Sequence, residues 1–344
     1  MKKYCARKLL ALCLLTAPVM SLSSLSQADY STHPEVSAFI DLMVEKHEFQ
    51  RDDIVAWLAA AEYQESIVKA MSRPAEKVKP WYEYRKHFIS DARIKGGVKF
   101  WQDNQETLER AEQELGVDAA IIVGIIGVET NYGSNTGSYK VIDALCTLAF
   151  DYYISVDKRP ARQTFFAAEL ENLFLLAREQ KQNPLELKGS YAGAMGWGQF
   201  MPSSYRNYAV DFDNDKFVDI WNNPTDAIGS VANYFAKHGW KKGELVAVRA
   251  NINSDPAEDS LNKLFKPGIS LSELRVQGYK TLEKLPEDSS ALPLRFEAKY
   301  GNEYWLGLHN FYVISRYNPR TKYAMAVYQL SELIQDGRCA QTDC

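Results

Sequence analysis

The sequence predicts a mainly α (α+β) fold from three observations. Apolar residues recur at helical spacing from Pro34 to Leu115, a wholly apolar helix runs from Ala119 to about Glu129, and short β-like runs are confined to Leu245–Tyr317. The 344 residues are 46% hydrophobic and 24% charged, which excludes a wholly disordered, collagen-like or membrane-spanning chain. At this length one core stops growing, so two or three subdomains are expected. With 40 Lys+Arg against 44 Asp+Glu, nothing in the charge calls for nucleic acid.

The first 28 residues read as an export signal. A basic start (Met1 to Lys8) leads into an apolar run (Leu9 to Met20) and then Ser26–Gln27–Ala28, a small-x-small cleavage pattern. The run is short for a membrane-spanning helix, which needs roughly 20 apolar residues, although an anchor that is retained is the other reading. Without the signal's four basic residues the chain has 36 Lys+Arg against 44 Asp+Glu, a formal −8. A soluble periplasmic protein is expected. Leu12 before Cys13 disfavours a lipid anchor, which prefers a small residue there. Cys146 sits in an apolar stretch and reads as inert core, whereas an oxidising compartment can join Cys339 and Cys344; the sequence leaves that pairing open.

Pro34 suits the first turn of a helix after Thr32. Asp52 and Asp53 precede a periodic run to Met71, and Phe100–Leu115 is charged and amphipathic until Gly116 breaks it. Asp118 stands where it can cap the apolar helix, which must be buried because it has no polar face. Further helices are expected at Thr164–Lys181, stopped by Asn183–Pro184, and at Thr225–His238, stopped by Gly239. Leu245–Val248, Leu292–Phe296 and Phe311–Ile314 read as short strands of a small β-containing insert. A final helix, Tyr323–Gln335, should end at Gly337.

Several chemistries are set aside. The five histidines show no HExxH or HxxxH spacing, Gly196–Trp197–Gly198 lacks the third glycine of a dinucleotide loop, and two SxxK matches stand without companion motifs. No organic cofactor is implied.

Glu129 is the candidate acid. At helical spacing it follows Ile122, Ile125 and Ile126, and a carboxyl on such a surface loses hydration, which raises its pKa toward what a general acid needs. A glutamate that simply ends the helix in solvent, or pairs with an arginine, is the alternative. The cluster Gly189–Ser190–Tyr191–Ala192–Gly193–Ala194–Met195–Gly196–Trp197–Gly198–Gln199–Phe200–Met201–Pro202 allows close backbone approach and offers the hydrogen bonds and flat apolar faces that hold sugars. A glycine-rich linker would rarely carry so many aromatics.

These segments, Gly127–Val128–Glu129–Thr130–Asn131–Tyr132–Gly133, the 189–205 cluster and Asp226–Phe235, together resemble the lytic murein transglycosylases of the B type, glycoside hydrolase family 103. The resemblance runs from Trp81–Arg85 to Tyr323. It implies a lysozyme-like helical core at 116–240 with an EF-hand-like loop, a flanking helical domain at 29–115 completed by 319–344, and a small β-containing domain at 241–318. The implied reaction cleaves the β-1,4 bond between N-acetylmuramic acid and N-acetylglucosamine in peptidoglycan, forming a 1,6-anhydro sugar with Glu129 as acid and base. By motif position Tyr84, Arg162, Ser190, Gln199, Tyr234, Tyr317, Asn318 and Tyr323 would line the glycan groove. Arg162 follows Ala161 where the family usually has two adjacent arginines. Glycan strands are the expected partner, with other cell-wall enzymes beside them. A hydrolysing muramidase and a non-catalytic peptidoglycan-binding protein are the rival readings.

Asp211, Asp213 and Asp215 occupy positions 1, 3 and 5 of an EF-hand-like loop. Lys216 stands at the usual glycine and Asn222 at the usual final glutamate, so a solvated acidic loop and a metal site fit the residues equally. The family resemblance implies structural calcium, with the Phe217 carbonyl and Asp226 completing the set.

Overall fold

The computed structural model describes residues 29–72, 79–151, 159–254, 256–264 and 267–341. The expected export signal and Cys13 lie outside them, as does Cys344. Cys339 is disulfide-bonded, and Cys146 is free and buried.

The N-terminal helices are α1 (Val36–His47), α2 (Arg51–Ala59), α3 (Glu65–Ser72), α4 (Trp81–Tyr84), α5 (Asp91–Asp103) and α6 (Gln105–Leu115). The central stretch holds α7 (Ala119–Thr130), β1 (Tyr139–Lys140), α8 (Val141–Phe150), α9 (Arg159–Glu179), β2 (Lys188–Gly189), α10 (Pro202–Tyr208) and α11 (Pro224–Lys237). A five-stranded antiparallel sheet follows, built from β3 (Ala247–Ile252), β4 (Ile269–Ser270), β5 (Tyr279–Thr281), β6 (Ser290–Glu297) and β7 (Asn302–Gly307) in the order β4-β6-β7-β3-β5. The short helix α12 (Leu271–Val276) lies within it, and α13 (His309–Tyr317) and α14 (Thr321–Cys339) close the described chain.

Helix α7 is the centre. It has no polar face, and every residue from Ala119 to Val128 is buried, which is possible because α5, α6, α11 and α14 surround it. The approach of α14 is close: a Cβ on Gly124 would lie 3.0 Å from Ser331 Cβ and 3.2 Å from the Val327 carbonyl. Helix α14 is itself buried from Tyr323 through Val327, then at Leu330, Ser331 and Ile334.

The sheet is covered on both faces. Alternate residues Leu292, Leu294 and Phe296 of β6 join the main core, with Phe296 5.1 Å from the Trp81 ring, while Val248, Ala250, Leu306 and Tyr279 pack with Leu271 and Leu274 of α12 in a second cluster. Pro293 is tolerated within β6 because the two-residue β4 pairs no further than Ala291, and Asn262 N–H donates to the Pro293 carbonyl instead.

Several expectations need correction. The run from Asp52 to Met71 is two helices, because Asp143 and Thr147 of α8 accept from the backbone N–H groups of Glu62 and Gln64 and draw the chain out of helical pairing. The charged helix is interrupted at Asn104, whose side chain donates to the Phe100 carbonyl at 2.9 Å and competes with the helical ladder. Helix α1 begins at Val36, beyond Pro34. Phe311–Ile314 is helical in α13: a four-residue apolar run carries no period of its own, and Asn310 pins the helix start by bonding Lys241 and Glu244 backbone. Gly337 lies inside α14, packed toward Val98, and the helix continues to Cys339. Asp118 does not cap α7; its carboxylate accepts from Trp240 Nε1 at 2.7 Å and from Gly243 N–H. Among the described residues no helix is long and apolar enough to cross a membrane.

Helix propensity alone would have a leucine at Gly124 stabilise α7. The proximity of α14 reverses the sign: Gly124→Leu should lower stability by about 1–3 kcal/mol through overpacking. A Tm in scanning calorimetry at or above wild type would contradict the close packing.

Candidate active site

Glu129 stands in the last turn of α7, and the turn after it is unusual. Asn131, Tyr132 and Gly133 have φ of 51°, 59° and 79°, three consecutive residues in the left-handed region. For the two non-glycine residues this costs roughly 1–2 kcal/mol each, so the surroundings must hold them. The Tyr132 ring fills a notch left by three glycines: a Cβ on Gly96, Gly97 or Gly127 would fall 2.6–3.0 Å from it. Its hydroxyl donates to the Arg93 carbonyl at 2.7 Å, and the Arg93 guanidinium donates to the Gly127 carbonyl. Thr130, fully buried, accepts from Gly133 N–H at 3.1 Å and donates to the Trp197 carbonyl at 2.9 Å. The turn is thereby tied to α5 on one side and to the glycine-rich cluster on the other.

The Glu129 residue keeps some exposure, as a group at a cleft does, while its carboxyl is ringed by protein. Tyr323 Oη donates to Glu129 Oε1 at 2.5 Å. Tyr84 and Tyr317 are close enough for the carboxyl's charge to push their hydroxyls up. Loss of hydration drives the Glu129 carboxyl up to about 7, and the Tyr323 hydrogen bond works against that rise. Tyr317 and Tyr323 are held well above the ordinary phenol range by burial first and by Glu129 second, so both remain donors. The hydrogen-bond partner of the acid is thus a phenol and not a second carboxylate.

The glycine cluster folds as a set of tight reversals. β1 pairs with β2, and Gly189, Met195 and Phe200 form successive antiparallel bridges. Gly193 and Gly196 take positive φ, as does Gln199 at 52°. Ser190 Oγ accepts from Ala194 N–H at 3.1 Å, and Gln199 Nε2 donates to the carbonyls of Thr136 and Gly196 at 3.1 and 3.0 Å. Tyr317 Oη donates to the Gly198 carbonyl, joining α13 to this cluster beside Glu129.

The remaining expected groove residues are distributed around this centre. Tyr234 is buried one ring behind: it donates to the Arg316 carbonyl at 2.6 Å, stacks on His238 at 4.0 Å and meets Tyr317 edge-on at 4.7 Å. Asn318 is half-buried after α13, its carbonyl accepting from Arg320 N–H. Tyr84 is buried, and its hydroxyl has no hydrogen-bond partner among the described residues. Arg162 is exposed near the start of α9 with its guanidinium 5.5 Å over Phe166, and no hydrogen bond among the described residues joins it to Glu129 or the cluster. Arg93 was not singled out in the sequence, and Thr130 and Tyr132 stood there only within the Gly127–Gly133 motif. The adjacent glycines Gly96 and Gly97 inside a helix were the available signal for the Tyr132 notch.

In the acidic loop the carboxylates of Asp211, Asp213 and Asp226 each place an oxygen within 4.8 Å of the others. Asp226 is fully buried and accepts from Phe212 and Asp219 N–H, both at 2.7 Å. Burial holds it above the usual carboxylate range, with the charges of Asp213 and Asp211 adding. Lys216, at the usual glycine, does adopt the left-handed φ of 76° that position requires, and its N–H donates to Asp211 at 2.7 Å. Asp215 accepts from Phe217 N–H and stands apart from the three clustered carboxylates. Asn222 donates to Asp219. Phe212 fixes the loop from behind, its ring 3.9 Å beneath the Arg110 guanidinium and against Gly229. Three converging carboxylate oxygens, one buried, suit a hard cation such as calcium.

The Transglycosylase SLT domain family matches residues 31–332. The chain is 45% identical over 319 residues to membrane-bound lytic murein transglycosylase B of Escherichia coli (strain K12), covering 90% of this chain and 85% of that protein. It is also similar to the catenated lytic transglycosylase SltB1 of Pseudomonas aeruginosa, with a TM-score of 0.84 and 52% identity over 90% of this chain and all of that one. The lytic transglycosylase Slt35 of Escherichia coli, solved in complex with calcium, gives 0.81 and 44% identity over 90% and 95% of the two chains.

The Glu129 environment makes a stability prediction. Folding raises this carboxyl from its ordinary 4.5 to about 7, so the folded chain binds the proton more tightly, and this contribution is full below pH 4.5 and lost as pH rises to 7. Glu129→Gln removes the loss. Relative to wild type the variant should gain stability across pH 4.5–7, by up to about 3 kcal/mol, and hold that gain above 7. Denaturation series at pH 4, 6 and 8 that differ by a constant offset would show that the carboxyl is not shifted.

Proposed function

The chain belongs to the Transglycosylase SLT domain family and is a peptidoglycan-cleaving lytic transglycosylase, in which, we propose, Glu129 is the single acid and base. Its lysozyme-like, mainly α fold is that of its relatives. The observation that carries the proposal is one desolvated carboxyl, raised to about 7 and bonded by Tyr323, on which no second acid acts among the described residues.

Most glycosidases set two carboxylates across the scissile bond, and a hydrolytic enzyme needs one of them to activate water. Here one group does both proton transfers. Protonated Glu129 gives its proton to the glycosidic oxygen as the C1–O bond breaks, and the substrate's own acetamido group steadies the charge at C1. The Glu129 carboxylate, held by Tyr323, then takes the proton from the C6 hydroxyl of the same muramoyl ring, whose oxygen closes on C1. The product is a 1,6-anhydromuramoyl end, and Glu129 is protonated again. Among the described residues no second acid acts on this carboxyl, which favours this course over attack by water.

Tyr84, Ser190, Gln199, Tyr317, Asn318 and Tyr323 form the glycan groove in this reading, with Tyr234 behind and Arg162 at its outer end. Tyr234 and Tyr317 give their hydroxyls to backbone carbonyls, so they act through ring faces and shape. The division is a helical domain at 29–115 completed by 319–344, a catalytic core at 116–240 and a β-containing domain at 241–318. The chain works in the periplasm after export by residues 1–28; the Escherichia coli relative is named membrane-bound.

The acidic loop would hold calcium through Asp211, Asp213, Asp215, Asp226 and the Phe217 carbonyl. The calcium complex of Slt35 supports this, as do the three converging carboxylates. Bound there, it would neutralise the carboxylate charge that opposes closure of the loop, a structural role.

Mass spectrometry of sugars released from purified sacculi should show muropeptides one water lighter than hydrolysed ones, absent with Glu129→Gln. Full-mass reducing ends would make the enzyme a muramidase, and equal release by variant and wild type would remove Glu129 from the chemistry. Calcium should raise the wild-type Tm over that in chelator, and Asp213→Ala should abolish the difference; a wild type melting identically in both conditions would sink the metal assignment.

A further inference from the structure

The hydrogen bonds around Trp197 lead from the acidic loop to the turn behind Glu129. The last segment of that loop, 219–221, is pinned first to α11: Asp219 N–H donates to the buried Asp226 at 2.7 Å, and Asp219 Oδ1 accepts from Trp221 N–H at 2.9 Å. Trp221 Nε1 in turn donates to the Lys188 carbonyl of β2 at 2.9 Å. The segment then offers two neighbouring carbonyls, and one residue takes both. Trp197 N–H donates to the Ile220 carbonyl at 2.9 Å, and Trp197 Nε1 donates to the Trp221 carbonyl at 2.7 Å. The backbones run close here, since a Cβ on Gly196 would lie 2.5 Å from the Ile220 carbonyl oxygen.

The other side of Trp197 meets the turn that carries the acid. Its carbonyl accepts from Thr130 Oγ1 at 2.9 Å, closer than the Ile126 carbonyl of α7 itself at 3.3 Å. Thr130 Oγ1 accepts from Gly133 N–H at 3.1 Å, and the indole covers Gly133, where a Cβ would fall 2.5 Å from the ring. The left-handed run from Asn131 to Gly133 is thus held from outside by an indole whose own anchor is the 219–221 segment.

Glu129 directly precedes Thr130, so a looser turn changes both the aim of the carboxyl and its access to water. A misplacement of about 1 Å can cost on the order of a hundredfold in rate, and packed, hydrogen-bonded neighbours are what prevent it. We propose that Trp197 is a positioning residue for the proton transfers of Glu129, acting through Thr130 and Gly133. The proposal rests on the transglycosylase reading above.

The test is a double-mutant cycle in the full-length enzyme on soluble glycan strands: wild type, Thr130→Val, Trp197→Phe and the pair, with Thr130→Ser as the conservative variant. Valine removes the hydroxyl at nearly constant volume, and phenylalanine removes the Nε1 donor and part of the ring over Gly133. Each single variant should lower kcat about tenfold, the size of one hydrogen bond, with KM within twofold. The pair should lose little more than either alone, because both break one clamp, and Thr130→Ser should recover most of the rate.

The pH profile of kcat/KM supplies a readout that a loss of stability does not move. Loss of hydration holds the Glu129 carboxyl at about 7. The groups facing it, Tyr84, Tyr317 and Tyr323, are all raised and stay neutral in this range. Water readmitted by a loose turn should carry the alkaline limb to lower pH in both single variants. Losses that multiply in the pair, an unmoved alkaline limb or an unchanged kcat would each overturn the clamp. If Trp197→Phe does not fold, the Thr130 variants decide by the same limb. A wild type that releases no anhydro products would overturn the transglycosylase reading instead.

Discussion

The constraint on which the rest depends is the burial of one ionisable carboxyl at the end of the most apolar helix among the described residues. A carboxylate there is costly, and the structure answers with a collar of phenols instead of a counter-charge. An arginine in place of Tyr323 would hold Glu129 ionised and useless as an acid. A phenol supplies a hydrogen bond to the carboxylate while leaving the neutral form accessible. The architecture follows: α14 must bury α7 and also deliver Tyr323, so the two helices approach closely enough to require Gly124.

The turn after Glu129 is the second part of the same solution. Left-handed Asn131 and Tyr132 cannot hold themselves, so α5 supplies the glycine notch for the Tyr132 ring and the cluster supplies the Trp197 carbonyl for Thr130. Helix α11 makes a comparable link farther out. It carries Asp226 in its first turn, inside the acidic loop, and Tyr234 two turns later, against Tyr317. The loop and the aromatic wall of the cleft thus share one rigid element.

Much of this was legible in the sequence, and the exceptions share a cause. Glu129 was readable because ten apolar residues in a row followed by one acid carry their physics locally. The acidic loop was readable by spacing, even though Lys216 broke the pattern; only backbone geometry shows that it takes the left-handed conformation anyway. The failures came where a distant partner overrules local preference. Asp118 has the chemistry of a cap, yet Trp240 Nε1, 122 residues away, takes its carboxylate. The α2–α3 break is written in Asp143 and Thr147, roughly 80 residues on. Thr130 stood in the Gly127–Gly133 motif, but its partner, the Trp197 carbonyl, lies in another motif 67 residues on. Local periodicity cannot report such bonds, whereas α13 was lost simply because four apolar residues have no period.

The Tyr323–Glu129 bond spans 194 residues, and α14 is the last helix of the described chain. Synthesis therefore delivers the acid long before its collar: Tyr317 and Tyr323 emerge after the catalytic helix, the glycine cluster and the whole sheet. A chain still being made, or one nicked ahead of α13, has a Glu129 that is neither desolvated nor oriented and behaves as an ordinary solvated glutamate. Competence at Glu129 therefore arrives only when the final helix docks and Tyr323 reaches the acid.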